Sequence, residues 1–243
     1  MCGRFVSASP PDQVAAFFGA DVDVESLGAN HNVAPTQDVY GVVANRTDPV
    51  AAPKLEAFHW GLVPSWAKER KIGNRMINAR SETLAEKNAF KSSFKKKRLL
   101  IPMDGFYEWK AGSADGPLNA KGKPLKQPMF IHHRDDEPLA VAGLWAAWKD
   151  REAPQDEPER WLHSATIVTT AANGTMAPVH DRMPVLVPQS RWKEWLDPSN
   201  DDLETLSTMF DMTGDESLVM HPVSRDVNNV RNNRPDLIEA IDA

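Results

Sequence analysis

From Arg98 to Ala172 the chain sets one apolar, strand-like run after another: "RLLIPMDGFYEW", "PMFIHH", "LAVAGLWAAW" and "HSATIVTTAA". The runs "CGRFVSA", "DVYGVVAN" and "LEAFHWGLVP" read the same way nearer the start, and "DRMPVLVP" leads into a short strand. A parallel sheet needs a crossover, usually a helix, between successive strands. Here strands and helices mix without that regular alternation. The order predicts an α+β domain built on a mostly antiparallel sheet or an open barrel with flanking helices.

Helical signals are short. "PPDQVAAFFGA" has proline at its entry, Val14, Phe17 and Phe18 at helical spacing, and Gly19 at its stop. "SETLAEKNAFKSSFKKKR" predicts a helix with Ser81 as N-cap, and "SRWKEWLDP", "DDLETLSTMF" and "RPDLIEAID" predict three more. Lys110–Pro128 and Lys149–Arg160 are rich in charge, Gly and Pro, and read as hairpin loops within one domain. A length of 243 residues with 41% hydrophobic content suits one large domain with a sizeable core.

The charge is unevenly spread. Lys68 to Arg98 holds 11 basic and 3 acidic residues, a surplus of 8. The remainder, with 17 basic and 31 acidic residues, is 14 negative. That asymmetry suits either a basic face that binds phosphates or a solvated basic helix. No apolar run is long enough to span a bilayer and no leader is evident, so the expected location is the cytoplasm. One cysteine makes no internal disulfide and no cysteine-rich metal site. Phosphate-binding glycine loops, a serine-hydrolase elbow and a zinc-protease helix are missing too, so no metal or cofactor is expected.

That lone cysteine is Cys2. Removal of Met1, which a small second residue favours, leaves an α-amine and a thiol on adjacent carbons. Both groups titrate near neutral pH in free form. The amine attacks an aldehyde to give a Schiff base, and the thiol then closes on the imine carbon as a five-membered thiazolidine. A small, buried, inert cysteine is the plain alternative.

Three other places carry chemistry. Glu108 in "GFYEW" shares a strand face with Phe106 and Lys110. It is either a surface glutamate paired with Lys110 or a carboxyl set among aromatics for proton transfer. His180 in "PVHDRMP" sits in a proline-bounded loop beside Asp181, suited to acid–base work or simply solvated. In "RMINARSET", Asn78 and Arg80 point the same way in an extended chain. Asn78 then either binds a reacting group or caps the following helix.

"MCGRF", "NVAPTQ", "WGLVPSWAK", "MINARSET", "LIPMDGFYEW", "TTAAN", "VHDRMPV" and "HPVSRDVNNVRN" occur in this order. Together they closely resemble the SRAP family, the SOS-response-associated peptidases or abasic-site-processing proteins. The resemblance covers residues 2–237 as a single domain and leaves 238–243 as a C-terminal tail. It implies an α+β fold around an open antiparallel barrel, a groove for single-stranded DNA, and covalent crosslinking to abasic sites in the DNA damage response.

By motif, Cys2 resembles the crosslinking nucleophile, Asn78 the residue that orients it, Glu108 the acid–base group, and His180 the group that assists sugar ring opening. Arg4, Arg80 and Arg182 match positions that hold phosphates, and Trp66 and Pro35 are groove candidates. The implied partner is single-stranded DNA carrying abasic sites, bound by a monomer without membrane, metal or cofactor. Lyase activity and self-removal of Met1 are implied side reactions. Two other readings stay open: a cysteine N-terminal-nucleophile amidohydrolase or peptidase, and a noncatalytic single-strand-binding module.

Overall fold

The computed structural model describes residues 2–48, 50–154, 160–212, 214 and 217–242. Met1, with its predicted removal, and the centre of the second predicted loop lie outside them. In chain order the elements are β1 (Phe5–Ser7), α1 (Pro11–Phe18), β2 (Asp21–Val22), β3 (Asn30–Val33), β4 (Asp38–Val43), β5 (Lys54–Trp60), β6 (Asn78–Arg80) and α2 (Lys91–Lys96). There follow β7 (Arg98–Met103), β8 (Gly105–Lys110), β9 (Gln127–His133), β10 (Leu139–Lys149), β11 (Trp161–Ala171), β12 (Arg182–Pro184), α3 (Trp192–Leu196), α4 (Leu203–Ser207) and β13 (Leu218–Pro222). Both loops predicted as hairpins connect antiparallel neighbours, β8 to β9 and β10 to β11.

Strands β11, β10, β7, β4 and β5 lie side by side, and β5 returns to β11 through the parallel pairs His59–Ser164 and Trp60–Ala165. The barrel expected to be open thus closes along one short parallel seam. Its interior is filled by alternate residues, among them Leu99, Ile101, Val141, Ile167, Phe58 and Trp60, each 1% exposed or less. Burying each such side chain is worth about 1.5–3 kcal/mol or more for the larger rings. The outward-facing set, including Tyr40, Val42, Leu100, Ala142 and Val168, packs under α1, α3 and α4. A second sheet, ordered β13-β9-β8-β1-β3, contributes Phe5, Phe106 and Ile131 to the interior cluster. The single α+β domain is therefore a barrel with a second sheet on one side and short helices on the other.

Local signals explain the elements that form as predicted. In α1, Pro11 sits in the first turn, and Gly19 ends the helix in the left-handed region at φ 59°. Gly61 adopts φ 137° where the backbone passes Gly73; a Cβ there would lie 2.8 Å from the Gly73 carbonyl oxygen. That approach seats the basic 3-10 helix Arg70–Arg75 against the end of β5.

The predicted helix from Ser81 does not form. A 3-10 turn, Ser81–Thr83, begins on Ser81 itself, Arg80 stands at the N-cap without a side-chain bond, and only Lys91–Lys96 is α-helical. Leu84 and Phe90 both point into the core. Six residues apart on one helix they would be about 120° apart, too far to share that face. The last predicted helix is a single 3-10 turn, Pro235–Ile238. Beyond Leu237 the chain continues along β13, where the Ile238 carbonyl lies 2.7 Å from His221 Nε2 and the Ile241 N–H donates to Pro222.

Candidate active site

Cys2 is fully buried, in contact with the interior cluster that includes Phe5, Trp60, Met176 and Met183. β1 pairs antiparallel with β8 through Phe5–Phe106 and Val6–Gly105. The Tyr107 N–H then donates to the Arg4 carbonyl, which carries Cys2 toward the Glu108 end of β8. Glu108 is 4% exposed on the Phe106 side of its strand, while Tyr107 and Trp109 pack on the other side. The surface pairing with Lys110 is therefore not what β8 builds.

β6 runs parallel to β11, with Asn78 opposite Ile167 and Arg80 opposite Thr169. This strand is latched by Trp60, whose indole N–H donates to the Ile77 carbonyl at 3.0 Å. The same carbonyl accepts the Ile167 N–H at 3.1 Å. Asn78 so placed donates from Nδ2 to the Cys2 carbonyl at 2.8 Å. Its Oδ1 is buried with no hydrogen-bond partner among the described residues. A buried amide oxygen left in this state carries a desolvation cost that an incoming donor, such as an amine or hydroxyl, relieves.

Burial, reinforced by the negative charge of Glu108, pushes the Cys2 thiol far above the ordinary thiol range, and a backbone hydrogen bond from Arg4 pulls weakly the other way. The free-thiol value expected from sequence does not hold inside the barrel. This sulfur keeps its proton at neutral pH until a base takes it.

His180 lies on the loop between β11 and β12. Its N–H and that of Val179 donate to the Met176 carbonyl, and Met176, wholly buried, belongs to the Cys2 cluster. His180 Nδ1 accepts the Arg182 N–H at 2.9 Å and lies 2.8 Å from an Asp181 carboxylate oxygen. The tautomer of the ring decides which of these two contacts Nδ1 makes, accepting from Arg182 or donating to Asp181.

The arginines differ. Arg80 is exposed. Arg182 forms a two-pronged pair with Glu82 and donates to the Thr169 carbonyl at 2.6 Å. The pairing with Arg182 holds the Glu82 carboxyl below its usual range. Arg4 Nη1 donates to Asn32 Oδ1 at 2.7 Å and to the Val227 carbonyl at 2.8 Å, and the guanidinium carbon lies 5.8 Å from the Trp109 ring centre.

The basic run also divides. Arg98, 3% exposed, donates to the carbonyls of Phe94, Lys95, Trp195, Asp197 and Asn200. Burial lowers its pKa to about 10, and it clamps α2 to α3 instead of facing a ligand. Trp66 is 55% exposed and lines a cavity of about 670 Å³ with Lys68, Lys71, Ile72, Asn74 and Arg75. Pro35 is half-buried beside Thr36, which has a positive φ of 73°. A second cavity, about 570 Å³, lies under Phe18, Trp192 and Leu196 and includes none of the candidate residues.

Reading by sequence alone passed over Asn32, Trp60, Glu82 and Met176. The first three sit inside motifs already noted, in "NVAPTQ", "WGLVPSWAK" and "MINARSET". Their partners are remote in sequence, so no local pattern marks them.

The fold thus defines a barrel protein that buries Cys2, with its carbonyl held by Asn78 and the Glu108 carboxyl close enough to act on its thiol. Residues 1–230 match the family described as SOS response associated peptidase (SRAP), and the chain belongs to that family. It is 37% identical over 242 residues to the abasic site processing protein YoqW of Bacillus subtilis, covering 99% of this chain and 100% of that one. It is 34% identical over 204 residues to the abasic site processing protein HMCES of Xenopus tropicalis, covering 77% of this chain and 57% of that one. In fold it matches a crystal structure of a Bacteroides thetaiotaomicron protein with a TM-score of 0.82 at 23% identity, over 99% of this chain and all of the other.

Proposed function

We propose that this chain processes abasic sites in single-stranded DNA by bonding to them through Cys2. The observation that carries the reading is the group of buried Cys2, buried Glu108 and half-buried Asn78, supported by the names of the relatives. With Met1 removed, the Cys2 amine adds to C1′ of the ring-opened deoxyribose aldehyde, and the resulting carbinolamine loses water to give an imine. The thiol then adds to the imine carbon as its proton passes, by way of Glu108, to the nitrogen. The product is a thiazolidine, and one water is released overall.

The amine acts first because only nitrogen can form the imine on which the thiol then closes, and burial and Glu108 keep the thiol protonated until that step. Asn78 holds the Cys2 backbone and offers Oδ1 to the amine or a sugar hydroxyl. His180 assists ring opening by moving the proton of the sugar oxygen. If the imine persists, loss of a C2′ proton expels the 3′ phosphate and cuts the strand, a lyase side reaction of the same site.

Arg80 and the Trp66 cavity suit the flanking strand: a cation for phosphate and an aromatic face for a base. A site that has lost its base bends out of the stack at lower cost than an intact one. The family's description as a peptidase favours a second reading, in which Cys2 acts on amide bonds, its own bond to Met1 included.

Intact-mass spectrometry tests the choice. The protein is measured alone and after incubation with an oligonucleotide bearing one abasic site. Loss of Met1 and a heat-stable gain of the oligonucleotide mass less one water is the expected result. A processed terminus with no adduct refutes crosslinking and turns the assignment to amide hydrolysis.

A further inference from the structure

We infer that Arg4 is a positioning residue that fixes Cys2 by tying the first strand to the segment from Ser224 to Arg234, and that its role is not to hold a phosphate of the DNA. The inference rests on the crosslinking reading of Cys2.

The segment "SRDVNNVRNNR" is polar and is held to the sheet by side-chain hydrogen bonds, Asn233 among them with bonds to His31 and Ala29. Val227 is completely buried in the cluster of Val6, Tyr107, Phe130, Val223 and Leu237. Asn32, 1% exposed on β3, donates from Nδ2 to the carbonyls of Val227, Asn229 and Asn232 at 3.3, 3.0 and 2.9 Å. Its Oδ1 accepts Arg4 Nη1, which also reaches the Val227 carbonyl. One asparagine and one arginine thus bind three successive parts of the segment to β1 and β3. Trp109 closes the group, donating from its indole to Asn228 while Arg4 lies over its ring.

The bonding of Arg4 agrees. Its Nη1 is spent on Asn32 and Val227, and desolvation of the half-buried guanidinium lowers its pKa. Arg80, by contrast, is exposed on β6. The backbone of Arg4 meanwhile serves the reactive residue. Its carbonyl takes the Tyr107 N–H, which registers β1 against β8 and Glu108, and a backbone hydrogen bond from Arg4 reaches the Cys2 thiol. A shift of this backbone moves the thiol relative to Glu108. Misplacement of reacting groups by about 1 Å costs on the order of 100-fold in rate.

The experiment compares Arg4→Gln, Arg4→Lys and Asn32→Ala with the wild type, measuring the first-order crosslinking rate at saturating abasic DNA and the salt dependence of binding. Asn32 is buried and has no access to phosphate. The inference expects Arg4→Gln and Asn32→Ala to lower the rate alike, by about 10- to 100-fold, with the salt slope unchanged. Arg4→Lys is expected to recover most of the rate, because both bonds leave from the single nitrogen Nη1 and one ammonium can make both. If instead Arg4→Gln flattens the salt slope by about 0.7, the value for one lost phosphate contact on single-stranded DNA, and Asn32→Ala reacts normally, the inference is overturned.

Hydrogen exchange of the segment from Cys2 to Ser7 supplies a readout without DNA. It should accelerate in Arg4→Gln and Asn32→Ala, and unchanged protection in both overturns the inference. Should Arg4→Gln fail to fold, Asn32→Ala and Arg4→Lys decide by the same criteria. A wild type that forms no adduct refutes the crosslinking reading, while the exchange experiment still judges the positioning of Cys2.

Discussion

Trp60→Phe tests whether the Trp60 latch on β6 is what keeps Asn78 against Cys2. Trp60 is wholly buried, stacked edge-on against Phe5 with ring centroids 5.1 Å apart. The substitution keeps the six-membered ring and removes about three heavy atoms. At about 0.8 kcal/mol per buried carbon, that is roughly 2 kcal/mol, and the cavity left behind adds to it. The indole hydrogen bond to Ile77 is lost as well, but its carbonyl keeps the Ile167 N–H. Because no acceptor is orphaned, the loss is about 1 kcal/mol and not the larger penalty of an unsatisfied group. The sum, about 3 kcal/mol, lowers Tm by roughly 6–12 °C in a domain of this size. Scanning calorimetry measures that shift. Single-turnover crosslinking at a temperature where the variant is fully folded measures the second consequence, a slower first-order rate as β6 loosens. A Tm within about 2 °C of wild type refutes the energetic reasoning, and a normal rate in a clearly destabilised variant refutes the link from Trp60 to Asn78.

Other substitutions separate the remaining parts. Cys2→Ser keeps the amine but loses ring closure, so it should give an imine that borohydride traps and heat destroys; a heat-stable adduct would remove the thiol from the scheme. Glu108→Gln removes the charge that helps hold the thiol proton on, so crosslinking should slow even as alkylation of Cys2 by a small reagent quickens; parallel changes in both would contradict the assigned proton transfer. Glu82→Gln should free Arg182, tighten DNA binding at low salt and steepen the salt dependence. Glu82 has a lowered folded pKa, so its pairing stabilises fully above the ordinary carboxylate range and is lost as pH falls through that lowered value; the variant should show a flatter acid limb in Tm against pH. Trp66→Ala should weaken DNA binding by about 1–3 kcal/mol if a base stacks on it, and fluorescence anisotropy would reveal an unchanged affinity.

Much of this fold is written in local patterns. The apolar runs of β4, β5, β7, β10 and β11 are readable because each alternates or stays apolar for a strand's length, and α1 is readable from Pro11 and Gly19. Cys2, Asn78 and Glu108 stand out through their motifs and converge in space. What escapes local reading depends on remote partners. Nothing in "KKKR" tells that Arg98 turns inward to five carbonyls while Lys95 and Lys96 stay exposed. Arg4 and Arg182 look alike as candidate phosphate ligands, yet Val227 and Glu82 occupy them from 223 and 100 residues away. The helix expected from Ser81 fails because Leu84 and Phe90 answer to the core above them, not to helical spacing.

The bond from Arg4 to Val227 joins nearly the two extremes of the chain. On the ribosome the amino terminus emerges first, but the Arg4 side chain lacks its Val227 partner until nearly the whole chain has emerged. Contacts of such long sequence separation form late in folding. A nascent chain therefore holds Arg4 without this clasp, and the first strand and the last segment are locked together only once synthesis is all but complete.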